Sequence, residues 1–99
     1  MKAPSAQLRE AAETLAIQAL AFIAEDPDRL GAFLVTTGIG PEAIRDAARG
    51  PDFLAGVLDH MLGDESLLIA FADSAGLNPT SIAQARRALG GKPWEREIP

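Results

Sequence analysis

Proline and glycine divide this chain into segments of helix length, and this spacing constrains the fold more than any other feature. Proline beside a capping residue or a glycine marks four helix starts, at Asp26-Pro27, Gly40-Pro41, Pro51-Asp52 and Asn78-Pro79. Glycine, the residue that most often ends a helix, follows at Gly38, Gly50, Gly76 and Gly90. With Ser5 as a first cap and Gly63-Asp64 as a further break, the pattern predicts about six short helices.

The apolar residues between these breaks recur at helical spacing. The clearest case is the segment after Pro51, where apolar pairs repeat every four residues as Phe53-Leu54, Val57-Leu58 and Met61-Leu62. No segment alternates with a period of two over the length of a strand. The sequence therefore predicts an all-α protein, a compact bundle forming a single domain over residues 1–91, followed by a polar C-terminal tail over residues 92–99.

The chain partly repeats itself at an offset of 38 residues. "DPDRLGAFLVTTGIGPEAIRDAAR" (26–49) and "DESLLIAFADSAGLNPTSIAQARR" (64–87) are identical at nine of 24 aligned positions, whereas random matching gives roughly two. Shared capping signals explain part of the likeness, but not the recurrence of Leu30, Phe33 and Ile44 as Leu68, Phe71 and Ile82. We predict two pseudo-symmetric three-helix repeats, over residues 12–50 and 50–88, packed about an approximate two-fold axis.

Charge and composition exclude several classes of function. The chain has no cysteine, so disulfides and thiolate chemistry are excluded, and its net charge of −5 disfavours nucleic acid as a partner. Residues 51–85 carry five acids and no Lys or Arg; this segment is either a solvated acidic face or a docking surface for a basic partner. The longest apolar run, Leu15 to Ala24, is too short to span a bilayer and is not a signal peptide. We predict a cytoplasmic protein that does not insert into membranes.

His60 and its acidic neighbours are the strongest candidate for chemistry. Asp59 and Asp64 flank this single histidine, an arrangement that could bind a metal ion weakly or serve as a base, or that is simply an ordinary surface histidine. The chain has no nucleophile elbow, phosphate-binding loop or dinucleotide fingerprint. The sequence therefore predicts no enzyme activity, no catalytic residue, no metal ligand and no cofactor.

Two further stretches are candidates for partner contact. The tail "GKPWEREIP" contains the only tryptophan, Trp94, which either folds back onto the bundle or anchors a partner. The turn "GIGPEAI" is similar to the hairpin of helix-hairpin-helix DNA-binding motifs, but Glu42 and Asp46 follow it where phosphate would be repelled. A simple turn explains that stretch.

The segments "LAIQALAFIAED" (15–26), "TGIGP" (37–41) and "FLAGVLDHMLGDE" (53–65) together resemble a small helical family, largely alphaproteobacterial and classed as a domain of unknown function. The likeness extends over about residues 13–91. It implies a bacterial, non-secreted protein and brings no activity, cofactor or catalytic residue.

The sequence favours a non-catalytic interaction or regulatory module whose partner is a protein or a second copy of the same chain. The candidate interaction surface comprises Asp59, His60, Asp64, Glu65 and Trp94. The alternative is a nucleic-acid-associated factor that uses the Gly38–Pro41 hairpin with Arg86, Arg87 and Lys92. A third interpretation is a ligand-binding or metal-binding helical domain centred on His60.

Overall fold

The chain folds into five full helices and one short helical segment, in a computed structural model that describes residues 6–47 and 51–90. The elements in chain order are α1 (Ala6–Ala24), α2 (Pro27–Thr37), a 3₁₀ turn (Pro41–Ala43), α3 (Ile44–Ala47), α4 (Pro51–Leu62), α5 (Glu65–Ala75) and α6 (Pro79–Leu89). No strand occurs in the described ranges. The all-α prediction is confirmed.

The prediction of about six short helices is wrong at the third, and the structure has five full helices. Where the sequence predicts a helix from Gly40 to Gly50, the structure has a 3₁₀ turn over Pro41–Ala43 and a single turn of α-helix over Ile44–Ala47. Residues 48–50 lie outside the described residues. Short helices depend on tertiary packing, and the main contacts of α3 are with the 3₁₀ turn before it. In contrast, α6 packs along α1 and α4 and extends to Leu89.

Capping residues define the ends of α2, α5 and α6, whereas Ser5, the predicted cap of α1, lies outside the described residues. The Asp26 side chain accepts a hydrogen bond from the Asp28 amide at 2.9 Å, and Asp64 accepts one from the Leu67 amide at 3.2 Å. Gly38 and Gly76 end α2 and α5 in the left-handed region, with φ of 75° and 69°. Aspartate satisfies amides of the first turn that have no partner within the helix, and glycine adopts positive φ without steric cost.

Helix α1 lies at the centre of the bundle and packs against α2, α4 and α6. Small side chains on one stripe of this helix, Ala12, Ala16 and Ala19, are at most 3% exposed. Because alanine projects little from the helix surface, α4 and α6 can approach the α1 backbone closely. The opposite face of α1 is accessible to solvent, since Ile17 is 55% exposed.

Apolar residues from α1, α2, α4, α5 and α6 form one continuous core. Its larger members are Ile23, Phe33, Phe53, Val57, Leu58, Met61, Phe71, Ile82 and Leu89. Leu30 and Leu68, equivalent positions at the offset of 38 residues, both pack against this core. Within the described ranges, no polar or charged residue is buried. None of the described helices combines the length and hydropathy needed to cross a bilayer.

Candidate functional site

A broad open cleft lies between α2 and α4 and extends to the beginning of α5; we call it the acidic groove. It has a volume of about 1050 Å³ and is lined by Ala32, Thr36, Thr37, Gly56, Asp59, His60, Leu62, Gly63, Asp64, Glu65 and Ser66. Four of the five predicted surface residues therefore line one cleft. The fifth, Trp94, lies outside the described residues.

The groove forms where α4 gives way to α5. Helix α4 ends at Leu62, and the Asp64 amide donates to the Met61 carbonyl at 3.2 Å, which turns the chain sharply into α5. This turn places Asp64 and Glu65 close to Asp59 and His60 on the last turn of α4. The opposite wall is the last turn of α2, where Thr37 Oγ1 donates to the Phe33 carbonyl at 2.8 Å.

His60 connects the groove to the core. Its imidazole ring packs edge-on against buried Phe33, with ring centroids 5.2 Å apart and an interplanar angle of 85°. Burial against α2 lowers the pKa of His60 from its ordinary value of 6.5, and the nearby Asp64 carboxylate partly opposes this effect by favouring the imidazolium. The half-buried imidazole therefore favours its neutral form more than a free histidine does.

Asp59 is held by an arginine from the other side of the bundle. Arg86 Nε lies 2.8 Å from Asp59 Oδ1, and Arg86 Nη1 donates to the Gly90 carbonyl at 2.8 Å. The Arg86 side chain is only 12% exposed, so this pair is shielded more than a typical surface ion pair. It fixes the Asp59 side chain and ties the C-terminal end of α6 to the edge of the groove.

Asp64 and Glu65 contribute the exposed charge of the groove. Asp64 is the N-cap of α5 and Glu65 is the first residue of that helix, and both side chains are exposed. Negative charge is favourable there because amide dipoles point outward from a helix N-terminus. Capping alone does not require the charge of an aspartate, since an asparagine, Asn78, is the N-cap of α6. The acidic character of the groove goes beyond what capping requires.

The chemistry of the groove is that of recognition by charge and hydrogen bonding. Its polar groups are three carboxylates, one imidazole and the hydroxyls of Thr36, Thr37 and Ser66. In residues 6–47 and 51–90, no three His, Asp or Glu side chains are placed so that they could hold a metal ion. Carboxylates and hydroxyls arranged in this way suit ammonium and guanidinium groups.

The acidic segment and His60 could be found from sequence, whereas the opposite wall of the groove could not. Thr36 and Thr37 precede a helix-ending glycine and carry no motif of their own. Arg86 lies 27 residues after Asp59, a separation at which no helical periodicity connects two residues. Only the packing of α6 against α4 brings them together.

The structure describes only some of the residues predicted to contact nucleic acid. Gly38 is the C-cap of α2, and the turn after it leads into α3, a helix of four residues. Arg86 is engaged with Asp59, whereas Arg87 is exposed. Lys92 lies outside the described residues.

A family model described as "Protein of unknown function (DUF3572)" matches residues 9–92 of the chain. This range contains every described element except the first turn of α1, and it ends before Trp94. Comparison with curated proteins and with solved structures finds no match.

Proposed function

Since the chain belongs to the DUF3572 family, a family of proteins of unknown function, we propose from its geometry that it is a non-catalytic protein-interaction module. In this proposal the acidic groove binds a basic segment of a partner protein. The observation that carries the proposal is the convergence of Asp59, Asp64 and Glu65 around one open cleft, although they come from two helices.

Charge complementarity identifies the kind of partner. Arg86 balances Asp59, and the exposed Asp64 and Glu65 give the remaining polar rim a negative potential. Such a rim accelerates association with a cationic segment and selects against acidic ones. Lys or Arg side chains of the partner would meet the carboxylates, and their aliphatic stems would lie over Leu62 and Ala32.

The groove supports binding better than it supports catalysis. His60 is the natural candidate for a base, but its ring packs against Phe33, and the hydroxyls around it lack the nucleophile elbow of a hydrolase. The proposal therefore assigns His60 to partner contact. The third interpretation of the sequence was a ligand-binding or metal-binding domain centred on His60. The proposal keeps the binding of a cationic ligand from that interpretation and leaves out the metal.

The nucleic-acid alternative is the weaker candidate. Nucleic-acid binding needs cationic side chains that can reach phosphate, but the Arg86 guanidinium already donates hydrogen bonds to the Asp59 carboxylate and the Gly90 carbonyl. It also needs a helix N-terminus after the Gly38–Pro41 turn, where the structure has only α3.

The proposal includes two further elements of the sequence interpretation. We place the interaction in the bacterial cytoplasm, following the resemblance described above. We also propose that the chain contains two copies of one unit at an offset of 38 residues, which the matching caps Asp26 and Asp64 support. The regulatory role expected from sequence would follow from partner binding.

Photo-crosslinking from neighbouring positions tests the groove directly. A benzophenone amino acid at Thr36 faces the groove, whereas the same group at Val35 lies on a surface that is 83% exposed and outside the groove. We expect cross-links to a cellular protein from Thr36 and not from Val35. The cross-linked peptide, identified by mass spectrometry, is expected to be rich in Lys or Arg.

Charge removal provides a matched control. Asp64→Asn with Glu65→Gln removes two charges from the groove and keeps a good N-cap, because asparagine caps helices as well as aspartate does. Asp52→Asn with Asp73→Asn removes two exposed acidic charges outside the groove. Cross-linking should be lost in the first variant and kept in the second. Equal capture from Thr36 and Val35, an acidic or neutral cross-linked peptide, or loss in both variants would refute the proposal.

A further inference from the structure

The helix boundaries repeat at the same offset as the sequence. Helices α2 and α5 each have 11 residues, and they begin at 27 and 65 and end at 37 and 75. Helices α1 and α4 end at 24 and 62, and the third elements begin at 41 and 79. Each boundary in the first half is therefore 38 residues before its counterpart in the second half, even at positions where the two residues differ.

The backbone hydrogen bonds of the turns repeat as well. Before α2 the Asp26 amide donates to the Ile23 carbonyl at 3.3 Å, and before α5 the Asp64 amide donates to the Met61 carbonyl at 3.2 Å. At the third element, the bond from the Ala43 amide to the Gly40 carbonyl, at 3.0 Å, corresponds to one of 2.8 Å from Ser81 to Asn78. The two halves thus share local backbone geometry as well as identical residues.

One aromatic contact between the halves repeats with the partners exchanged. Phe22 of α1 packs against Phe71 of α5 with centroids 5.5 Å apart, and His60 of α4 packs against Phe33 of α2 at 5.2 Å. Position 60 is 22 plus 38, and position 71 is 33 plus 38. Exchange of partners is what a two-fold axis produces in an isologous interface.

The same operation relates two clefts. A smaller groove between α1 and α5 is lined by Gln18, Ala21, Phe22, Glu25, Phe71, Ser74 and Ala75. Six of these seven positions have equivalents that line the acidic groove, namely Gly56, Asp59, His60, Gly63, Thr36 and Thr37. The smaller groove has Ala21 and Phe22 where the acidic groove has Asp59 and His60. The fold therefore forms such a groove without either polar residue.

We propose that this domain is a fused pseudo-dimer, in which residues 13–47 and 51–85 are two copies of one unit related by a two-fold axis. The inner face of each unit is an interaction surface whose fitting partner is a second copy of the same unit. On this surface Ala19, Phe22, Ile23 and Phe33 of one unit match Val57, His60, Met61 and Phe71 of the other. The first helix of each unit packs against the second helix of the other.

A symmetrised full-length chain tests this inference without any partner of the proposed function. In it, residues 51–76 are replaced by the residues found at 13–38, so that both halves carry the same inner face. The matched control carries the same replacement shifted by one residue, at 52–77, which turns each apolar face by about 100°. We expect the in-register chain to keep its helical circular dichroism and a single cooperative urea transition, and the shifted chain to lose that transition.

The wild-type chain provides the second measurement. Nuclear Overhauser contacts between the rings of Phe22 and Phe71, and between those of His60 and Phe33, are both expected. The absence of either contact would overturn the inference, as would an in-register chain no better folded than the shifted one. Because neither measurement involves a ligand, failure here would be distinct from failure of the proposed groove interaction.

Discussion

Replacing His60 by phenylalanine should stabilise the protein, and more so at lower pH. His60 and Phe22 each pack against a phenylalanine of another helix. The ring centroids are 5.2 Å apart for His60 and Phe33 and 5.5 Å apart for Phe22 and Phe71. Aromatic pairs in such a geometry contribute roughly 0.5–1.5 kcal/mol beyond their buried area. Because the imidazole is already half-buried there, we expect a gain of about 1 kcal/mol for His60→Phe at pH 7.5.

The pH dependence follows from the sign of the pKa shift. The folded state lowers the pKa of His60 below 6.5, chiefly through burial, so folding disfavours the protonated form. The contribution of neutral His60 to the free energy of unfolding of the wild-type protein is therefore fully present above pH 6.5. This contribution is lost as the pH falls through the folded-state pKa of His60. His60→Phe removes that loss, and the difference between the two proteins should widen from pH 7.5 to pH 5.5.

Urea denaturation at several pH values measures this difference. Because His60 is the only histidine of the chain, the difference between His60→Phe and wild type over pH 5.5 to pH 8 isolates this group. Asp64→Asn is the informative second variant, because removing the opposing carboxylate should lower the pKa of His60 further. A His60→Phe variant that is less stable than wild type, or one with the same pH dependence, would refute this account of the site.

Three further predictions concern stability and are measured by urea denaturation. Gly38→Ala and Gly76→Ala should each cost about 1 kcal/mol, because φ is positive and no atom beyond the adjoining residues lies within 4 Å of an added Cβ; unequal losses would reveal packing at one site. A double-mutant cycle of Asp59→Asn and Arg86→Gln should give a coupling of about 1 kcal/mol for this shielded pair, and zero coupling would mean that the pair does not form. Val35→Lys should change stability by less than about 0.5 kcal/mol because the side chain is 83% exposed.

The sequence could predict the helix ends because capping depends on local chemistry. Asp26, Gly38 and Asn78 act through hydrogen bonds and backbone angles within a few residues, and each caps the helix predicted for it. The prediction of a third full helix was wrong over residues 41–47, where a 3₁₀ turn precedes α3, because short helices depend on tertiary support. The predicted third helix carries the same local signals as the corresponding part of α6; of the described residues in these two segments, it is those of α6 that pack extensively along α1 and α4.

Only part of the candidate site could be predicted from the sequence. Asp59, His60, Asp64 and Glu65 are close in sequence, so any turn between α4 and α5 keeps them near one another. The wall formed by Thr36 and the clamp from Arg86 depend on helix crossings between distant segments, which residue spacing does not encode. Whether Trp94 takes part stays a prediction, because it lies outside the described residues.

The most direct test of the central claim is to map the partner's basic segment, once identified by cross-linking, onto the protein by amide chemical shifts. On titration into the isotope-labelled chain, the account predicts shifts concentrated at Thr36, Thr37, Asp59, His60 and residues 64–66, with affinity that falls as salt is raised. Shifts centred on the exposed face of α1 around Ile17, or affinity insensitive to salt, would contradict it.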